Sequence, residues 1–196
     1  HKLSKEIKSK IALFCNVPMD SVIEAKDADT IYDVPIRLMR ESLDEVVLSK
    51  LKLWPAPEPD MDAWLDFLKR LKNPLEELEV GLVGKYVELP DSYKSILESL
   101  VHASAANEVK INVHLIHSED VQVENVERYL AQLDGVIVAP GFGKRGISGK
   151  IIAIEYCRTR EIPFLGICLG MQMAFIEFGR NVVGLPECNS TEFNAS

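Results

Sequence analysis

From residue 79 to residue 178 the sequence alternates short runs rich in valine and isoleucine with stretches of helical periodicity. Val80 to Tyr86, Val109 to Ile116, Gly135 to Ala139 and Ile162 to Ile167 have the length and composition of buried strands. Asp91 to Ala105, Glu124 to Leu133, Gly149 to Arg160 and Leu169 to Phe178 have the texture of the helices between and after them. A chain of this pattern can bury both faces of each strand only by laying helices on both sides of a parallel sheet. The predicted fold class is therefore α/β, with a parallel sheet and helices on both faces. In such sheets ligand sites form beyond the carboxyl ends of the strands.

The first 78 residues have a different character. Ile11 to Val17 reads as a buried strand and Ser21 to Ala25 as a shorter one, while Thr30 to Arg40 and Asp44 to Leu51 have helical spacing. Trp54-Pro55-Ala56-Pro57-Glu58-Pro59 cannot be helix interior, because proline at alternate positions removes donors and clashes with the preceding turn. A short amphipathic helix carrying Trp64, Leu65, Leu68 and Leu71 follows, and Asn73-Pro74 ends it. We divide the chain into residues 1–53, a linker with a short helix over 54–78, and residues 79–196; the family resemblance given below implies that the first is the end of one α/β domain and the last the first part of a second. The opening in helical texture and the abrupt end at Phe193-Asn194-Ala195-Ser196 suggest a piece of a longer protein.

A net charge of −8 argues against nucleic acid as a partner. No apolar run approaches the roughly 20 residues of a membrane helix, and no signal-peptide core follows the N-terminus. The four cysteines form no CxxC pair, so a zinc site is not expected, and free thiols in the cytoplasm are.

The chemistry centres on Gly166-Ile167-Cys168-Leu169-Gly170. A strand that turns abruptly into a helix holds the residue at the apex in strained geometry, and flanking glycines remove the side chains that would clash. The thiol then stands over the sheet beside the unpaired N–H groups of the helix start, whose partial positive charge favours a thiolate and can hold an oxyanion. A buried structural cysteine is the alternative, and Cys15, Cys157 and Cys188, which lack this context, fit it better. One βα unit earlier, Pro140-Gly141-Phe142-Gly143-Lys144-Arg145-Gly146 follows a strand and allows close approach of backbone to a ligand.

The run Pro163-Phe164-Leu165-Gly166-Ile167-Cys168-Leu169-Gly170-Met171-Gln172 resembles the nucleophile segment of class I glutamine amidotransferases, which release ammonia from glutamine through a cysteinyl thioester. Within that group the CTP synthase family is the nearest resemblance. Gly81 to Ser95, Gly141 to Gly146 and Asn189 to Phe193 resemble its glutaminase domain. Lys10 to Val17 and Asp29 to Pro35 resemble the end of its nucleotide-binding amidoligase domain. The resemblance implies conversion of UTP to CTP with ATP, Mg²⁺ and glutamine-derived ammonia, GTP as activator, and a homo-oligomer, a tetramer in the family.

The resemblance also implies residue roles. Cys168 is the nucleophile. Gly141 and the backbone of Leu169, Gly170, Met171 and Gln172 bind glutamine and its oxyanion, and Glu192 holds the α-amino group. Lys10 contacts UTP or CTP; Lys26, Asp27 and Ala28 contact the adenine of ATP; Lys94 and Phe142 lie near the GTP site. No metal ligand is assigned. The chain departs from the family's Pro-Gly-Gly-Phe-Gly at Pro140, which has no N–H to offer an oxyanion. His102, His114 and His117 all precede Cys168, whereas the family's catalytic histidine follows the cysteine, so the chain alone is expected to be inactive. Other readings are another class I amidotransferase such as the glutaminase of GMP synthase, a cysteine hydrolase of γ-glutamyl or peptide bonds, and a non-catalytic fragment.

Overall fold

The computed structural model describes residues 3–89 and 91–194. The chain forms two compact units that divide between Leu68 and Lys69, so the division falls inside a helix, Asp62–Lys72, rather than at the proline run before it.

The described residues of the first unit form helices joined by irregular segments, with no strand among them. Helix α1 spans Lys5–Cys15; α2, Val34–Arg40; α3, Leu43–Lys50; α4, Asp62–Lys72; short 3-10 turns cover Met19–Ser21 and Ile31–Asp33. Two sequence expectations fail here: Ile11 to Val17 is not a strand, and neither is Ser21 to Ala25. The reason lies at the helix ends. The Ser4 side chain accepts a hydrogen bond from the Ile7 N–H, and Asn16 closes the helix in the left-handed conformation at φ 51°. A short apolar run cannot by itself distinguish strand from helix. This one does not form a core either: Ala12 is its only buried member, and Leu13 and Phe14 face outward. Pro35 sits in the first turn of α2, where its missing N–H costs nothing. Trp64 packs against Tyr32 and Phe67 and donates its indole N–H to the Tyr32 carbonyl at 2.9 Å. Trp54, at the start of the proline run, is exposed.

The second unit has the expected α/β form. Strands β1 (Glu76–Gly84), β2 (Val109–His117), β3 (Gly135–Val138) and β4 (Phe164–Gly166) form one sheet in the order β2-β1-β3-β4. Every pairing is parallel. Helices α5 (Lys94–Asn107), α6 (Val126–Leu130), α7 (Ile147–Thr159) and α8 (Leu169–Asn181) connect and follow them. Strand alternation divides the core in two. Leu82, Ile137 and Ala139 face one side, where Tyr93 and the α5 residues Ile96, Leu97 and Leu100 cover them. Val83, Val136 and Val138 face the other, under Leu130, Ala153, Ile154, Leu169 and Met173 of α6, α7 and α8. Helices therefore lie on both faces. The chain first moves from β1 to β2 and then returns past β1 to β3 and β4, so the order reverses between β1 and β3. This is the place where parallel sheets open a crevice at their carboxyl ends.

Candidate active site

Four segments emerge around that crevice: Lys85 and Tyr86 after β1, the loop from Ala139 to Gly146 after β3, Cys168 after β4, and the 189–194 segment that brings in Glu192.

Cys168 stands at the junction of β4 and α8 with φ 53° and ψ −106°. Unlike Asn16, which closes α1 in the ordinary left-handed region, Cys168 lies outside that region, a strained backbone of the kind that clusters at functional sites. Its neighbours explain why the turn is possible. A side chain at Gly170 would place its first carbon 2.0 Å from the Val138 carbonyl oxygen, and one at Gly166 would lie 2.7 Å from the Gly170 backbone. Helix α8 thus starts pressed against β3 and β4, and the apex residue projects outward. Cys168 is exposed, whereas Cys157 is buried and its thiol is pushed up to about 12 by burial. Only the former is presented for chemistry.

The loop after β3 meets this elbow. Gly141 lies against Leu169, the residue that follows Cys168: a side chain there would touch Leu169 at 3.5 Å and Lys85 at 3.3 Å. Glu192 reaches the same loop and accepts a hydrogen bond from the Gly143 N–H at 3.4 Å. Gly141, Leu169, Gly170 and Glu192, expected together from the sequence, are joined to Cys168 through these contacts. Met171 and Gln172 continue the first turn of α8, where the Gln172 N–H already donates to the Cys168 carbonyl at 3.1 Å. Phe142 projects outward from the loop, 79% exposed.

The family description "Glutamine amidotransferase class-I" matches residues 88–194. The chain belongs to this family. The description "CTP synthase N-terminus" matches residues 1–53. Among curated relatives, the CTP synthase of Cytophaga hutchinsonii is 58% identical over 194 residues, which is 99% of this chain and 36% of the relative. That of Methanocaldococcus jannaschii is 54% identical over 198 residues, 98% of this chain and 36% of the relative. The chain thus spans about a third of the length of the curated relatives it matches. Among solved structures, a Trypanosoma brucei CTPS glutaminase domain with bound acivicin superposes with a TM-score of 0.57 at 37% identity. That match covers 61% of this chain and 47% of the other.

The remaining candidates of this amidotransferase chain are placed as follows. Lys94 opens α5 and is paired with Glu98 at 2.8 Å; the Glu98 carboxylate raises its pKa. In the first unit, Lys10 lies on α1 and pairs with Glu6 at 2.9 Å. Lys26 pairs with Glu24 at 3.3 Å and Glu41 at 3.9 Å. The Asp27 carbonyl accepts from Arg37, and Ala28 is half-buried. Of the histidines, His114 is held by Glu79 and His117 lies 3.8 Å from Glu119. Among the described residues no group of three or more His, Cys, Asp and Glu side chains could hold a metal.

Sequence reasoning passed over two lysines. Lys85 and Lys150 are both fully buried, although Lys85 follows a strand and Lys150 stands in α7. Burial lowers the pKa of each, and Lys150 falls to about 8 through burial and the nearby Lys85 charge, against an upward pull from Cys168. The available signal was Lys150's apolar surroundings, Ile147 and Ile151 to Ile154, since a lysine on the core side of a helix is rare.

Proposed function

We propose that this chain supplies the nucleophile side of a glutamine amidotransferase within an enzyme that aminates UTP to CTP. The exposed Cys168 at the strained head of α8 is the observation that carries the reading. Its thiolate attacks the side-chain amide carbon of glutamine. The carbonyl oxygen becomes an oxyanion, held by the Gly141 N–H and the Leu169 N–H at the head of α8, since the Gly170 N–H is already given to the Ile167 carbonyl at 2.9 Å. The C–N bond breaks, the nitrogen takes a proton and leaves as ammonia, and a glutamyl thioester remains. Water then hydrolyses the thioester, releasing glutamate and restoring the thiol. Glu192 offers a carboxylate to the α-ammonium of glutamine. In the coupled reaction the γ-phosphoryl group of ATP moves to the uracil 4-oxygen, and ammonia displaces phosphate to give CTP.

The amination roles rest on resemblance to the relatives named CTP synthase, with Lys10 toward UTP or CTP, Lys26, Asp27 and Ala28 toward the adenine of ATP, and Lys94 and Phe142 toward GTP. Their accessibility supports them: the Lys10 and Lys26 side chains are 65% and 45% exposed. No metal-binding cluster exists among the described residues, so Mg²⁺ is given no ligand here and no step is derived through it. No helix of the described residues is long and apolar enough to cross a membrane.

The test is labelling by a chloroketone analogue of glutamine, read by peptide mass spectrometry on the folded chain. Modification of Cys168 ahead of Cys15, Cys157 and Cys188, with protection by excess glutamine, is the expected result. Even labelling of the exposed cysteines without protection would overturn it.

A further inference from the structure

The two buried lysines meet the loop after β3 from below. The Lys150 ammonium donates to the Ala139 carbonyl at 2.5 Å and to the Pro140 carbonyl at 3.4 Å. The Lys85 ammonium donates to the Phe142 carbonyl at 2.8 Å and also to the Gly143 carbonyl. Between them they hold the carbonyls of residues 139, 140, 142 and 143, and the loop carbonyl passed over is that of Gly141. Among the described residues neither ammonium is hydrogen-bonded to a carboxylate.

A trans peptide unit points its C=O and its N–H in opposite directions. Fixing a carbonyl therefore aims the N–H of the next residue. The Phe142–Gly143 unit displays this directly: its carbonyl is held by Lys85, and its N–H points the other way, to Glu192 at 3.4 Å. The Pro140–Gly141 unit has the same arrangement, with its carbonyl on Lys150 and the Gly141 N–H turned from it. Pro140 adds rigidity and cannot itself donate, so the orientation of this unit decides whether the loop offers the Gly141 N–H as a donor.

We propose that Lys85 and Lys150 are positioning residues for glutamine hydrolysis: by gripping the loop carbonyls they aim the Gly141 N–H at the oxyanion and the Gly143 N–H at Glu192. Burying an uncompensated ammonium is costly, so a plain structural anchor would be better made from an apolar side chain. A cation bonded to two carbonyls instead sets direction. The inference rests on the amidotransferase reading of Cys168 and assigns two further residues to it.

The experiment compares two electrophiles on the folded chain. A glutamine chloroketone needs both a reactive thiol and an aimed loop, whereas iodoacetamide needs the thiol alone. In Lys150→Met and in Lys85→Met, the rate constant for chloroketone labelling of Cys168 should fall roughly tenfold or more, the scale of a misaimed oxyanion donor. The iodoacetamide rate should stay within about threefold, since α8 and its N–H groups are untouched. Cys157 should remain unlabelled, which reports an intact core. An unchanged ratio of the two rates in both variants would overturn the inference while leaving the amidotransferase reading in place. Absence of chloroketone labelling in the unsubstituted chain would overturn both. If the variants do not fold, ammonium-selective NMR of the unsubstituted chain decides. Lys85 and Lys150 Nζ protons protected from water exchange would support the grip, and rapid exchange would refute it.

Discussion

The two units use lysine in opposite ways. In the first, Lys10 and Lys26 sit at the surface and pair with Glu6, Glu24 and Glu41. In the second, Lys85 and Lys150 are buried and bonded to backbone carbonyls. A surface lysine paired with a carboxylate is neutralised and screened; it can exchange its partner for a phosphate at little cost. A buried ammonium held by carbonyls has no freedom to leave. The first arrangement suits recruitment of a charged substrate, and the second suits preorganisation of a reacting centre. On the proposed reading, the same residue type would divide into a binding role and a positioning role according to whether its countercharge is mobile.

The comparison predicts the largest effects at the elbow in the second unit. Cys168→Ala should abolish chloroketone labelling outright, with Cys15 and Cys188 unable to compensate because neither stands at a helix head over the sheet. Residual glutamine-protected labelling would place the nucleophile elsewhere. Gly170→Ala comes next. The added carbon would lie 2.0 Å from a backbone oxygen of β3, which cannot move without shifting the strand. A loss of about 3 kcal/mol or more in unfolding free energy is expected, the upper range for overpacking a core. A denaturation midpoint unchanged from the parent would mean that α8 does not dock as closely as described.

Lys150→Met sharpens the contrast through stability. The folded pKa of Lys150 is lowered to about 8 from 10.5 by burial, with the Lys85 charge adding to the effect and Cys168 opposing it. A base with a depressed folded pKa weakens the fold at every pH at which the unfolded chain holds the proton. Its penalty is complete below about 8 and disappears as the pH rises toward 10.5. Removing it should therefore stabilise the chain at pH 7, by at most roughly 3 kcal/mol less the lost hydrogen bonds to Ala139 and Pro140. The advantage over the parent should shrink between about pH 8 and pH 10.5. A variant less stable than the parent at pH 7 would show that the carbonyl bonds outweigh the burial of charge.

Much of this was legible in the sequence. The four strands of the second unit, the helices between them and the nucleophile elbow are all encoded locally. Val/Ile runs mark the strands, and a cysteine between two glycines at a strand–helix junction admits one geometry. The errors have a common source. Ile11 to Val17 was expected as a strand because apolar content alone does not reveal which residues find a core, and in α1 only Ala12 does. Helix α6 was expected over Glu124 to Leu133 and occupies Val126–Leu130, since its ends depend on turns rather than periodicity. Lys85 and Lys150 escaped notice because their role depends on where the carbonyls of another segment point, some 57 and 11 residues away in the chain.

The smallest effect separates the two kinds of lysine most cleanly. Lys10 forms an i,i+4 pair with Glu6 on α1, with Glu on the N-terminal side as favours such pairs, and its side chain is 65% exposed. Lys10→Ala should therefore change the stability of this chain by only about 0.3–0.5 kcal/mol, and that small difference should fade in high salt. In an enzyme of the relatives' full length, the same substitution should weaken the use of UTP by more than about tenfold, because a lost charge-assisted bond to a phosphate is of the order of 1.5–3 kcal/mol. Hydrolysis of glutamine uncoupled from amination should be spared, since that chemistry belongs to the second unit. Steady-state kinetics with UTP varied, set against ammonia release without UTP, measures both. A parallel loss in the two activities would mean that Lys10 acts on the fold rather than on a nucleotide, and the division between recruiting and positioning lysines would fail at its first member.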